Sequence, residues 1–223
     1  GSSVLLGSLT MGEQAKIMKD LGLASINLFG VLIAIFVGIG LVSKEIEKRT
    51  IYTIIAKPIP RYQFLLGRYS GLGLTLFVNT AIMAVGFVLV LLLAGVGLDM
   101  GLAKAIGLIF LELLLIVAVA VMLSTFTTPT LSATFTLAIY VIGHLTGDLQ
   151  ALGDRLENPL VSGVLNVLYY ALPNLAYFNI KSEAVHGIPI AWSYLLMAVS
   201  YGVTYAAFVM VAACMIFQRR DFK

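Results

Sequence analysis

Charge is what this chain has least of. Asp, Glu, Lys and Arg make up 11% of its 223 residues, against 60% apolar residues and a mean hydropathy of +1.02. A soluble domain carries about 25% charged residues, and a soluble monomer has no means of covering this much apolar surface, so that class is excluded. Cysteine is nearly absent as well: the single Cys214 excludes an intrachain disulfide and any cysteine metal site. The two histidines, His144 and His186, lie far apart in sequence without an acid at metal-ligand spacing, and no metal site is expected. No Gly-x-x-x-x-Gly-Lys-Ser/Thr occurs; Gly67-Arg-Tyr-Ser-Gly-Leu-Gly73 lacks the lysine, so no nucleotide-phosphate cradle is expected in this chain. Alternation of apolar and polar residues, which a membrane β-barrel strand needs, is missing too. In lipid the backbone must satisfy its own hydrogen bonds, which leaves helices. The expected fold is all-α, a polytopic helical membrane protein forming one transmembrane permease-like domain over residues 1–223.

What is present is a series of long uncharged runs. They predict five spans, at about 21–43, 69–97, 103–124, 131–147 and 189–217, each long enough for a hydrocarbon core of about 30 Å. The third and fourth are separated at Ser124-Thr-Phe-Thr-Thr-Pro-Thr130, which reads as a turn, with a Pro-kinked continuous helix as the alternative. The chain opens Gly1-Ser2-Ser3-Val4 without Met or a basic stretch, so Val4–Leu9 is not a signal peptide; it is read as the outer end of a helix whose body precedes this sequence. Residues 148–187 form an external excursion before the last span. Its apolar part, 160–180, is broken by Asn166, Pro173, Asn174 and Asn179 and is expected to be re-entrant or interfacial, with an ordinary sixth crossing as the alternative. Tyr169, Tyr170, Tyr177 and Trp192 would form an outer aromatic belt.

Orientation follows from the basic residues. With the region 44–68 and the carboxyl end on the cytoplasmic side, Lys44, Lys48, Arg49, Lys57, Arg61, Arg68, Arg219, Arg220 and Lys223 lie inside, nine of the fourteen Lys and Arg. That asymmetry fits a multi-pass protein of a prokaryotic cytoplasmic membrane, with a cytoplasmic C-terminus.

The densest charge lies between the first two of these runs, at 44–62. Ile46, Thr50, Ile51, Ile54 and Ile55 recur at helical spacing, while Lys44, Glu45, Glu47, Lys48 and Arg49 point elsewhere, so an amphipathic helix along the membrane surface is expected. Pro58 ends it and Pro60 stiffens the entry to the next span. Such a helix can bind anionic headgroups. The acidic Glu45 and Glu47 argue instead for a protein partner.

Glu47-Lys-Arg-Thr50, then Ala56-Lys-Pro-Ile-Pro-Arg61 and Phe64-Leu-Leu-Gly-Arg68, resemble the cytoplasmic coupling segment of ABC-2-type transporter permeases, nearest to the multicopper-enzyme-maturation type branch. Glu47, Thr50 and Arg61 hold the family's Glu, Thr and Arg; Arg49 stands where Gly is usual and Pro60 where Ser is usual. The resemblance implies six spans in the full-length subunit, the first missing here, and a second permease subunit in a homo- or heterodimer. It also implies a separate ABC ATP-binding subunit that holds the ATP and Mg and docks on Glu45, Glu47, Lys48, Arg49, Thr50, Pro58 and Arg61. No cofactor is expected in this chain and no nucleic acid among its partners.

Within the predicted spans the deepest acid is Glu112. A carboxylate inside the bilayer costs about 2.5 kcal/mol or more, so it should face protein, water or substrate. Glu112 and Asn79 are the candidates for a substrate pathway, each with helix-to-helix hydrogen bonding as the alternative; Asn27 is similarly deep. Gly71, Gly73, Gly86, Gly95 and Gly97 are expected to allow close helix packing. Intramembrane catalysis finds no support: the aspartates lie outside the predicted spans, and Ser132 and His144 on one helix would be about 18 Å apart. The expected function is a membrane permease subunit of an ATP-driven exporter, not itself an enzyme. The alternative is a membrane scaffold that transports nothing.

Overall fold

The computed structural model describes residues 2–47, 61–146, 163, 169 and 171–219; for residues 2–12, 39–47, 61 and 219 it describes the backbone only. The described residues are mainly helical, with no strand among them: α1 Ser2–Glu47, α2 Arg61–Leu93, α3 Met100–Ser124, α4 Pro129–His144, α5 Lys181–His186 and α6 Trp192–Arg219, with a 3₁₀ helix at Leu175–Phe178. Stretches in α1, α2, α3 and α6 are long and apolar enough to cross a membrane, at Glu13–Gly38, Tyr62–Leu93, Met100–Ser124 and Trp192–Gln218.

Two features differ from the expected span pattern. The first concerns α1, a single helix of 46 residues. At 1.5 Å per residue it is about 70 Å long, more than twice the depth of a hydrocarbon core. Val4–Leu9 therefore shares a helix with the first span, and Lys44–Glu47 continue that helix in line before the surface segment could begin. The second concerns α4, expected as a span at 131–147. The helix has 16 residues, about 24 Å, and so falls short of the length of the other four.

The breaks between helices follow from local chemistry. At the end of α2, Gly95 adopts φ +69, which glycine reaches without a Cβ clash. Its N–H donates to the Leu92 carbonyl, and the Val96 N–H donates to Leu91, the Schellman pattern that closes a helix end. Gly187, at φ +66, ends α5 in the same conformation. Between α3 and α4 the Thr125 and Thr127 hydroxyls donate to the Met122 and Leu123 carbonyls, and Pro129 stands at the start of α4, where its missing N–H costs nothing. The chain then doubles back, and the Ser132 hydroxyl reaches the Ala120 carbonyl at 3.3 Å.

α3 is the hub. Its spanning stretch is 67% buried, against 22–44% for the other three, and it packs on α1, α2, α4, α5, α6 and the 3₁₀ helix. Close approach is made by glycines other than those expected. A Cβ on Gly30 would lie 2.6 Å from Leu113, one on Gly143 2.8 Å from the Pro173 carbonyl oxygen, and one on Gly202 2.9 Å from the Phe178 ring. Gly71, Gly86, Gly95 and Gly97 face open space, and of the expected set Gly73 alone has a neighbour, Leu114 at 3.1 Å.

Candidate functional site

Glu112 lies twelve residues into α3, roughly 18 Å from its start, and is fully buried. Two helices bring polar groups to it. From α1 the Asn27 side-chain amide donates to Glu112 Oε2 at 3.1 Å. From α4 the Tyr140 hydroxyl donates to Asn27 Oδ1 at 2.9 Å, and His144 Nε2 stands 3.3 Å from Glu112 Oε1. Tyr140 and His144 are one helical turn apart, their ring centroids 4.7 Å from each other. The His144 Nδ1 lies 3.1 Å from the Tyr140 carbonyl oxygen, which closes a ring of contacts through α1, α3 and α4.

The direction of each bond can be assigned. A carbonyl oxygen only accepts, so Nδ1 of His144 carries a hydrogen and donates it to Tyr140. That leaves Nε2 facing Oε1, and neither atom has another partner. Two lone pairs opposed in a buried site would be repulsive, so a second proton belongs between them, on the carboxyl or on the imidazole. Both assignments leave the pair neutral as a whole, which suits a site enclosed by apolar helices.

On one side of this ring lies polar surroundings. Lys181 on α5 acts electrostatically on Glu112 and His144, and Asp20 on α1 acts on Lys181. Burial pulls the Lys181 ammonium below its ordinary value, and the Glu112 and Asp20 carboxylates pull it partly back. On the other side Leu113, Leu115, Ile116, Val117, Ala118, Ala120 and Val121 are fully buried and apolar.

A second polar array holds the segment before α5. Tyr194, Tyr201 and Tyr205 lie on one face of α6 over roughly 17 Å. Tyr205 donates to the Ala171 carbonyl at 3.1 Å, Tyr201 accepts from the Asn174 N–H at 2.8 Å, and Tyr194 donates to the Tyr177 carbonyl at 2.9 Å. Near the same end of α6, Lys104 donates to the Ile190 carbonyl at 2.8 Å and sits 4.6 Å from the Trp192 ring centroid.

The family comes from comparison with known proteins. The family described as ABC-2 family transporter protein matches residues 2–222. The chain belongs to that family. It is therefore a multi-pass membrane transport permease, of a family that normally works with an ATP-binding subunit. No curated protein matches this ABC-2 permease well enough to serve as a relative.

The candidate residues fall in three places. Glu112 is at the centre of the ring. Asn79 is not brought to it: its amide donates to the Thr75 carbonyl one turn back on α2. Of the coupling residues, Glu45 and Glu47 lie in the last turn of α1 and Arg61 opens α2, whereas Lys48, Arg49, Thr50 and Pro58 lie outside the described residues. Sequence reasoning missed His144 as a partner of an acid, since the pairing is made by the antiparallel return of α4 and not by spacing along the chain. The available signal was Tyr140 and His144 one turn apart, two polar side chains on one face of an apolar helix.

Proposed function

We propose that this ABC-2 permease is the membrane subunit of an ATP-driven exporter in a prokaryotic cytoplasmic membrane. It pairs with a second permease subunit, as a homo- or heterodimer, and is moved by ATP-binding subunits docked on residues 44–62. ATP and Mg belong to those subunits. The observation that supports this best is the continuity of α1. Glu47 ends the same helix that carries Asn27 into the bundle, and Arg61 opens α2, so the segment joins two helices that both pack on α3. A displacement at Lys44–Glu47 would reach the Glu112 ring through α1, which is one helix from there to Asn27. A few kcal/mol delivered there is enough to exchange inward-open and outward-open populations.

In this reading Glu45, Glu47, Lys48, Arg49, Thr50, Pro58 and Arg61 make the docking surface, and both chain ends of the segment face the cytoplasm with the carboxyl end. α4, short as it is, is the fourth of five spans in chain order. Residues 171–178, which run along α6 beside its tyrosines, are the re-entrant part of the external excursion. Glu112 borders the substrate path.

The test is capture of an ATP-binding subunit with the full-length permease, before and after Glu47→Lys together with Arg49→Glu. Reversing both charges should weaken capture and permease-dependent ATP turnover at least about tenfold, a change of about 1.4 kcal/mol. Undiminished capture and turnover would remove the segment as the docking site.

A further inference from the structure

The charged groups that act on the Glu112 ring lie on the side of α5. A cavity of about 450 Å³, lined by Lys16, Asp20, Asn179 and Lys181 among others, opens beside α5. Lys16, Asp20, Leu23 and Asn27 recur every three to four residues, so they share one face of α1 between this cavity and the ring, with buried Leu23 between Asp20 and Asn27. Asp20 and Asn27 are about 10 Å apart along the helix axis. Lys181 lines the cavity and acts on both Glu112 and His144. Toward the other end α3 presents the buried apolar residues from Leu113 to Val121; the α5 direction also holds buried Leu23, Leu108 and Ile109, and differs in reaching the charged Asp20 and Lys181 at the cavity. Of the other buried hydroxyls, Thr136 donates to the Ser132 carbonyl at 2.7 Å and Ser132 to Ala120, while the Thr80 hydroxyl on α2 has no protein partner.

We propose that the facing atoms Glu112 Oε1 and His144 Nε2 form a binding site for one proton, exchanged with water at the α5 end of the bundle. The groups that face the pair are Asn27 and, beyond it, Asp20 on α1, Tyr140 on α4 and Lys181 on α5. With the proton in place the pair is neutral and ties α3 to α4. When the proton leaves for the cavity, a carboxylate and a neutral imidazole remain, and their opposed lone pairs no longer attract. The carboxylate's charge is then balanced by the Lys181 ammonium. Losing the proton thus removes the tie to α4 and leaves a carboxylate under the longer-range attraction of Lys181 on α5, so proton occupancy becomes linked to how these helices meet. The site stands on the ring's geometry and does not depend on where an ATP-binding subunit docks.

His186→Gln leaves His144 as the one imidazole of the chain; the His186 Nδ1 bonds the Ser182 carbonyl at 2.8 Å and takes no part in the ring. The full chain carrying this change is placed in lipid vesicles whose two sides are buffered at different pH, and the His144 ring nitrogens are followed by nitrogen magnetic resonance. The α5 side is identified by an impermeant thiol reagent on Ser182→Cys in a Cys214→Ala background. The expected result is hydrogen on Nδ1, a hydrogen-bonded Nε2, and a protonation signal that follows the pH of the α5 side. Glu112→Gln, which keeps the side-chain volume, should let the proton go at least about tenfold more readily, one pH unit in the midpoint. A signal that follows the opposite side, hydrogen on Nε2 in place of Nδ1, or a midpoint unmoved by Glu112→Gln would overturn the proposal. The first of these needs no change to the pair, so it decides the matter even if the Glu112 variant does not fold.

Discussion

The ring around Glu112 and the tyrosine ladder of α6 both bury hydrogen-bonding groups among apolar helices, with opposite dependence on charge. Around Glu112 the partners are side chains from α1, α3 and α4, and one contact, Glu112 to His144, holds only with a proton between the two atoms. Along α6 the partners are phenol hydroxyls and backbone groups of residues 171–177, all neutral near pH 7. The first can be switched by a proton. The second holds its segment in place over the whole physiological range. A bundle that must move while keeping an irregular segment covered has use for both.

The sharpest way to break the comparison is Glu112→Leu. It leaves the Asn27 amide and His144 Nε2 without their partner, and each orphaned buried group costs about 1–3 kcal/mol, so a loss of about 3 kcal/mol is expected in denaturant unfolding of the micelle-held protein. Equal stability would mean that the ring does not hold α1, α3 and α4 together. Next in size is a pair of glycine changes. Gly143→Ala puts a Cβ 2.8 Å from the Pro173 carbonyl oxygen, and should cost about 2 kcal/mol by overpacking. Gly71→Ala faces open space and should stabilise by about 1 kcal/mol through helix propensity. Thermal unfolding of the two side by side reads the sign, and a gain in both would place the 171–178 segment away from α4. The smallest effect is Tyr201→Phe, which removes the acceptor of the Asn174 N–H. About 1 kcal/mol should be lost, by the same amount at pH 6 and pH 8. A loss that varied across that interval would blur the distinction between ladder and ring.

Much of the helical architecture was legible from the residues. Long uncharged runs appear as the helices α1, α2, α3 and α6, and a buried acid in the middle of α3 was identifiable as a group needing a partner. The partners were not legible. Asn27 lies 85 positions from Glu112, and His144 reaches it only because α4 folds back along α3. The glycines show the same limit. Gly71 and Gly143 look alike in sequence, and what distinguishes them is the Pro173 backbone standing opposite one and open space opposite the other. The continuity of α1 through Lys44–Glu47 was missed for a local reason: charge marks where a helix leaves the hydrocarbon, and a helix can continue past that point.

Composition and run length by themselves determined that this chain is helical and lies in a membrane, because burying a backbone in lipid leaves no other economical hydrogen-bonding pattern for such apolar stretches. The tertiary structure alone decided which deep polar groups meet and which glycines face a close neighbour. Those outcomes depend on how antiparallel helices register against one another, which is set by side-chain packing across α3 and not by any spacing along the chain.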